Sequence, residues 1–149
     1  MTYLLQFWRF LQATFLKFDR VPNRVSPSEP LSRFIFSREH CKTGRVSFAA
    51  FMPSTKTLDI SVYRTRGCDE RKIWLLGDLF VAAKRKDNRG ILARADLVSQ
   101  LIFKEGLEIT PETSPHPRHA NVTKWPADKP QQKIKAIALA MGASLKSRS

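Results

Sequence analysis

Residues 58–63, LDISVY, constrain the fold most, because apolar and polar side chains alternate there without interruption. In an extended chain, Leu58, Ile60 and Val62 fall on one side, and the residues that alternate with them fall on the other. This pattern is typical of a strand with one buried face, which occurs mainly in antiparallel sheets. Residues 45–51 show partial alternation, and we predict that they form an antiparallel hairpin with residues 58–63.

Intervals of three and four residues between apolar side chains predict two helices later in the chain. One opens near Cys68, with Asp69 and Glu70 at its positive end, and the other opens near Asp128. For the second helix we predict an apolar face made of Ile134, Ile137, Ala138 and Met141. The fold class that follows is α+β, with a small, mainly antiparallel sheet, two to three packed helices and an N-terminal amphipathic helix.

The first twenty residues carry the N-terminal amphipathic helix. One stripe of this helix is apolar, and we predict that it binds a protein partner through Leu4, Phe7, Trp8, Leu11 and Phe15. Docking of the stripe on the protein's own domain is the alternative. Membrane binding is not expected, because the basic residues of this segment are few.

Composition along the chain predicts four parts. Residues 1–20 form the helix, and residues 21–32, with three prolines and three serines, form a linker. A single α+β domain is predicted for residues 33–145, followed by a disordered tail at residues 146–149. Residues 1–32 are therefore expected to be an appendage to an independently folding unit.

The net charge of +13, from 26 Lys and Arg against 13 Asp and Glu, is the strongest functional signal. Folding does not require such an imbalance, and a polyanionic partner is its usual counterpart. We predict a small intracellular protein that binds nucleic acid or another polyanionic assembly as an accessory subunit. The alternative is a basic protein kept soluble by its charge. The residues predicted to contact the nucleic acid are Arg64, Arg66, Lys84, Arg85, Lys86, Arg118, Lys124 and Trp125.

Residues 115–126, PHPRHANVTKWP, allow three interpretations. In an enzyme, His116 and His119 would transfer protons while Arg118 stabilised a phosphate, which is the chemistry of a phosphodiesterase. In a binding protein, Arg118 would contact phosphate and Trp125 would offer a stacking surface. In a structural role, the prolines favour an irregular segment whose polar side chains satisfy the backbone, and Trp125 anchors the last helix. The structural role is the most common outcome for such a pattern.

Several classes are not expected. Cys41 and Cys68 lie outside any CxxC pair, so we predict two free thiols and no metal site. Nucleotide-binding glycine loops and metalloprotease or serine-hydrolase motifs do not occur. We expect no cofactor, and these absences favour a binding protein over an enzyme, with the phosphodiesterase as the alternative. The N-terminal segment is a poor signal peptide, and we expect a cytoplasmic protein that does not bind membranes.

Overall fold

The structure is a computed structural model that describes residues 2–17 and 19–148, leaving aside the side chains of residues 13–17. These described residues form four α-helices: α1 (Thr2–Lys17), α2 (Glu70–Phe80), α3 (Ser99–Lys104) and α4 (Lys129–Gly142). The same part of the chain forms six strands: β1 (Pro30–Ile35), β2 (Ile60–Arg64), β3 (Ala93–Val98), β4 (Glu108–Pro111), β5 (His119–Thr123) and β6 (Ser144–Ser147). Short 3₁₀ helices span Arg38–His40, Phe48–Phe51 and Ala82–Lys84.

The six strands form one antiparallel sheet in the order β4-β5-β2-β1-β3-β6. This architecture confirms the predicted α+β class. Strand β2 contains most of the alternating LDISVY segment, and its pairing with β5 matches Ile60 to Val122 and Tyr63 to His119. The carboxyl end of β2 therefore lies beside the start of β5 and, through the pairing of Leu31 with Arg64, beside the start of β1.

Hydrophobic clusters cover both faces of the sheet. Helix α4 and the 3₁₀ helix Phe48–Phe51 pack on the face that presents Leu31, Val62 and Val122. Helix α2 packs on the opposite face, against Phe34 and Tyr63, with α1 outside it.

Helix α2 begins and lies where the sequence predicts. The Asp69 side chain accepts a hydrogen bond from the Lys72 amide and caps the first turn. Gly77 allows the helix to approach the sheet closely, because an added Cβ would lie 2.7 Å from a ring carbon of Phe34 and would also meet Ile91. A side chain at this position would separate the helix from β1.

The predicted hairpin of residues 45–51 and 58–63 is wrong. Residues 48–51 form a 3₁₀ helix, in which the Ser47 hydroxyl accepts a hydrogen bond from the Ala49 amide. Phe51 is fully buried under the sheet. The apolar residues 48–51 thus pack in the core as a capped 3₁₀ turn and not as a strand. Strand β2 pairs with β1 and β5 instead.

Segments predicted as linker and tail belong to the folded part. Strand β1 begins at Pro30, and Val25 and Glu29 before it are buried. Strand β6 includes residues 146 and 147 of the predicted disordered tail and pairs with β3. The guanidinium of Arg148 then binds the Asp78 carboxylate in a bidentate pair at 2.6 Å. Residues 21–32 and 144–148 therefore make specific contacts with the folded domain.

The predicted apolar face of α4 is also wrong. Ile134 and Met141 are 58% and 83% exposed, while Gln132, Ala136 and Leu139 are buried. Small alanines bring the helix close to the sheet, and the Gln132 amide donates to the Pro126 carbonyl at 2.8 Å. The polar side chain can face inward because this hydrogen bond satisfies it.

Strands β1 and β2 pair at two positions, Leu31 with Arg64 and Ser32 with Tyr63. Next in β1, the Arg33 side chain donates to the carbonyls of Ala50 at 3.0 Å and Ser61 at 2.9 Å. Burial lowers the pKa of this guanidinium to about 10, so it keeps its charge at neutral pH. A side chain therefore continues the connection between the two central strands.

Candidate nucleic-acid interface

The segment 115–126 contains strand β5, although its prolines had suggested an irregular loop. Ala120 and Val122 are fully buried on the α4 side, and His119 and Asn121 alternate with them on the other side. Strand β5 lies between β4 and β2. This position fixes where both histidines and Arg118 lie.

Both histidines are engaged inside the fold. His116 is fully buried, and its Nδ1 accepts a hydrogen bond from the Arg118 amide at 3.0 Å. In a neutral ring, His119 Nδ1 donates to the Glu112 carbonyl at 2.8 Å and Nε2 accepts from the Ser61 hydroxyl at 3.1 Å. Both rings lie against Tyr63, with centroids 6.5 and 5.4 Å away. Proton transfer to a bound substrate needs an accessible ring nitrogen, so this geometry does not support the phosphodiesterase alternative.

Arg118 is buried, and its side chain is bonded to two other segments of the chain. Its Nη1 donates to the carbonyls of Arg64 at 3.0 Å and Arg66 at 2.9 Å, and its Nε and Nη2 bind the Asp19 carboxylate. Burial raises the pKa of Asp19, but hydrogen bonds from Arg118 and Lys72 outweigh that effect and hold it below its usual value. The Asp19 carboxylate is therefore ionised at neutral pH, and the pair joins the segment that follows α1 to the start of β5.

Arg64 forms a second buried ion pair. Its Nε lies 2.7 Å from Glu29 Oε1 and its Nη2 lies 3.1 Å from Glu29 Oε2, with side chains 1% and 5% exposed. The Ser26 amide also donates to Oε2 at 3.2 Å. This fork holds the Arg64 guanidinium in one orientation. Arg64 Nη1 makes no hydrogen bond with the part of the chain that the structure describes.

A concave site of about 220 Å³ opens above these two ion pairs. We call it the arginine cavity, and its charged lining consists of Arg20, Arg24, Glu29, Arg64, Arg66 and Arg118. Five arginines and one glutamate thus line the same cavity. Asp19 and Lys72 form a pair at 2.8 Å beside the cavity and leave the balance of charge unchanged.

Three of the predicted basic residues, Arg64, Arg66 and Arg118, meet at this cavity. The sequence interpretation missed Arg20 and Arg24, because they precede or lie in a segment assigned as linker. Both are exposed, and they make no side-chain hydrogen bond or ion pair with the side chains that the structure describes, those of residues 2–12 and 19–148. The signal that could have found them is Glu29, the one acidic residue in the predicted linker.

The other predicted contacts lie elsewhere. Lys124 is exposed at the opposite end of β2, because Val122 pairs with Ile60 there. Trp125 is 4% exposed and its Nε1 donates to the Val122 carbonyl at 3.0 Å, so the ring anchors the chain before α4. Lys84 and Lys86 are exposed beyond α2. Between them, Arg85 lies 4.1 Å above the Phe36 ring and pairs with Asp87.

The apolar stripe of α1 faces solvent. Leu4, Phe7 and Trp8 are 62%, 56% and 57% exposed, and Leu11 is half-buried. The Phe15 side chain lies outside the described residues. The first half of the stripe therefore makes little contact with the protein's own domain.

Three further features bound the class of site. Cys41 and Cys68 are free thiols, as predicted. Among the described residues, no group of three or more His, Cys, Asp or Glu side chains could hold a metal ion. No helix in the same residues is both long enough and apolar enough to cross a bilayer.

Fold and surface together define a small, strongly basic α+β protein with an arginine-lined cavity at one end of its sheet. No family model, curated protein or solved structure matches the chain. The function must therefore be inferred from the site itself.

Proposed function

We propose that this protein binds nucleic acid, with the arginine cavity as the principal phosphate contact and with no catalytic step of its own. The arrangement that carries the proposal is a single cavity lined by five arginines and only one acidic residue, Glu29. Arginine forms bidentate hydrogen bonds with phosphate oxygens, and it keeps its charge when partly buried.

The arginines that line the cavity differ in how firmly they are held, and this difference supports the assignment. Ion pairs with Glu29 and Asp19 fix the orientations of Arg64 and Arg118, so these two buried side chains form a rigid floor. Arg66 is exposed at the rim, where its Nη2 contacts the Ser28 carbonyl at 3.0 Å. A rigid floor lowers the conformational-entropy cost of binding, since fewer side chains must be ordered when the ligand binds.

The net charge of +13 extends the same argument beyond the cavity. Each phosphate that a protein neutralises releases a counterion from the nucleic acid, so affinity depends steeply on salt. Basic side chains outside the cavity, such as Lys84 and Lys86, would add contacts of this sequence-independent kind.

Fluorescence anisotropy tests the proposal with single-stranded RNA, single-stranded DNA and duplex DNA. We expect dissociation constants of about 10⁻⁶ M or tighter at ~50 mM salt, with affinity falling linearly on a log–log scale as salt rises. The double variant Arg20→Ala/Arg24→Ala should weaken binding and reduce the salt slope by about 1 to 2, because it removes two arginines and each lost phosphate contact lowers the slope by about 0.7 to 0.9.

A matched control separates the cavity from net charge. Arg38 and Lys56 are exposed at the opposite end of β1 and β2, so Arg38→Ala/Lys56→Ala removes the same two charges far from the cavity. This control should reduce affinity less than the cavity variant. Equal losses in the two variants would assign binding to overall charge, and absence of binding to all three nucleic acids at low salt would contradict the proposal.

The exposure of Leu4, Phe7 and Trp8 favours a second function, the docking of a protein partner on α1. Helix α1 contains no acidic residue and belongs to a chain of charge +13. The fitting partner is therefore an acidic protein with an apolar groove, which matches both the stripe and the charge.

Site-specific photo-crosslinking in cells tests this docking. A photoreactive residue at position 7 should form one discrete adduct, whereas a photoreactive residue at position 56, in an exposed loop, should not. The purified adduct partner should be acidic and should bind the full chain more weakly after Phe7→Ser. An adduct with a basic protein, or identical adducts from both positions, would contradict the assignment.

A further inference from the structure

The arginine cavity is smaller than a typical ligand site. Its volume is about 220 Å³, whereas sites that enclose a drug-sized molecule commonly measure about 300–1,000 Å³. A phosphate group with part of its sugar fits this space, and a whole nucleotide does not. The remainder of a ligand must therefore lie outside the cavity.

The shape of the cavity separates two kinds of phosphate. An internal phosphodiester continues into the chain on both sides, so it needs an open groove. A terminal phosphomonoester has one ester bond, so it can enter a closed site with its free oxygens inside. The buried residues Arg64, Glu29 and Arg118 form part of the lining, together with Val21 and Pro22. A small site bounded by buried side chains suits a group that ends there.

The charge of the cavity favours the same ligand. A phosphomonoester carries about −1.5 to −2 charges at pH 7 and offers three acceptor oxygens, whereas a diester carries one negative charge. Arg20 and Arg24 have no carboxylate partner among the described residues, and Arg64 Nη1 has no hydrogen bond there. These donors suit a doubly charged group with several oxygens.

We infer that the arginine cavity binds the terminal phosphate of a nucleic-acid strand, so that the protein recognises phosphorylated ends. This inference rests on the proposed nucleic-acid binding. Arg64 lies at the floor, Arg20, Arg24 and Arg66 close around the phosphate, and Glu29 keeps Arg64 oriented. The strand leaves the cavity toward the surrounding basic surface.

Competition anisotropy with oligonucleotides of one sequence tests the inference on the full chain. Four competitors are compared: a 5′-phosphorylated strand, a 3′-phosphorylated strand, a strand with hydroxyls at both ends, and a circular strand. At ~150 mM salt, one phosphorylated strand should bind at least about ten-fold more tightly than the hydroxyl and circular strands, the factor that one additional charge-assisted hydrogen bond supplies. The two phosphorylated strands identify which end is bound.

Variants assign this preference to the cavity. Arg20→Ala/Arg24→Ala should abolish it and leave residual salt-dependent binding. This variant should keep its fold, because both side chains are exposed and make no hydrogen bond or ion pair with the described side chains. Arg38→Ala/Lys56→Ala should lower the affinity for all four strands by one common factor. Circular dichroism melting curves confirm that each variant is folded, and a preference that survives in the cavity variant would overturn the inference.

The remaining outcomes separate the inference from the proposed function. Equal binding of all four strands would overturn end recognition and leave nucleic-acid binding intact, whereas no binding at low salt would overturn both. A nucleoside monophosphate tests a free ligand in the same assay. It should compete far more weakly than the phosphorylated strand, and competition of equal strength would show that the cavity serves a free phosphate ester instead.

Discussion

Replacement of Glu29 by Gln tests the buried ion pair under the arginine cavity. Glu29 Oε1 lies 2.7 Å from Arg64 Nε, and Oε2 accepts from Arg64 Nη2 and the Ser26 amide. The amide of Gln must place its NH₂ group against at least one of these donors. The variant therefore loses a hydrogen bond and leaves the Arg64 cation without a counter-charge.

The burial of the pair sets the size of the effect. With side-chain exposures of 1% and 5%, Arg64 and Glu29 are largely withdrawn from water. Removing one partner of a buried pair typically costs about 3–5 kcal/mol. We expect about 3 kcal/mol for Glu29→Gln, at the lower end, because the cavity gives solvent or an anion some access to Arg64.

Urea denaturation followed by circular dichroism at pH 7 measures the change in the free energy of unfolding. Glu39→Gln is the matched control, because its pair with Lys42 has exposures of 72% and 62% and should contribute about 0–1 kcal/mol. The double variant Glu29→Leu/Arg64→Met should be less destabilised than Glu29→Gln, because no unpaired charge remains. A loss below about 1 kcal/mol for Glu29→Gln would refute the reasoning, since it matches an exposed pair.

Three further predictions concern stability. Hydrogen bonds from Arg118 and Lys72 outweigh the effect of burial and keep the Asp19 pKa below 3.8. The ionised Asp19 carboxylate therefore stabilises the folded state above about pH 4, and this stabilisation is lost as pH falls through the folded-state pKa. Asp19→Asn should therefore shrink the difference between urea midpoints at pH 6 and pH 3. Gly77→Ala should lower the melting temperature, because the new methyl group would clash with Phe34 and Ile91 at a cost of about 1–3 kcal/mol, which outweighs the higher helix propensity of alanine. A higher melting temperature would contradict the close packing of α2 on the sheet. Trp125→Phe should cost about 1–3 kcal/mol and leave nucleic-acid affinity unchanged, whereas lost affinity would restore Trp125 as a stacking surface.

Local patterns were sufficient to predict the elements whose signals agree with their packing. Asp69 and the helical spacing after it predicted α2, and the alternation of residues 58–63 predicted β2. Prediction failed where tertiary contacts outweigh the local pattern. Phe48 and Phe51 belong to a capped 3₁₀ turn that fills the core, although such residues favour strands.

The buried face of α4 is a second case in which tertiary contacts outweigh the local sequence pattern. Hydrophobicity predicts that Ile134 and Met141 lie inside, and the structure instead buries Gln132 and Ala136. Burial of Gln132 depends on the carbonyls of Pro126 and Ala127, which accept from its amide. Side-chain polarity alone does not reveal such partners.

The candidate site combines segments that are far apart in the sequence. Arg118 and Arg64 were predicted as phosphate contacts from their charge, but their position under the cavity depends on carboxylates of Asp19 and Glu29. Arg24 contributes from a segment whose prolines suggested a spacer. Pairing of β1, β2 and β5 brings these segments together, and no local pattern specifies that pairing.

The short contact between β1 and β2 divides the sheet into two three-stranded ladders. The ladders β4-β5-β2 and β1-β3-β6 should exchange their amide hydrogens as separate groups, because cooperative opening follows contiguous pairing. Glu29 directly precedes β1 in one ladder. Arg64 is the last residue of β2 and Arg118 directly precedes β5, and both strands are in the other ladder. An anion in the arginine cavity would therefore bridge both groups and slow exchange in strands that it does not touch.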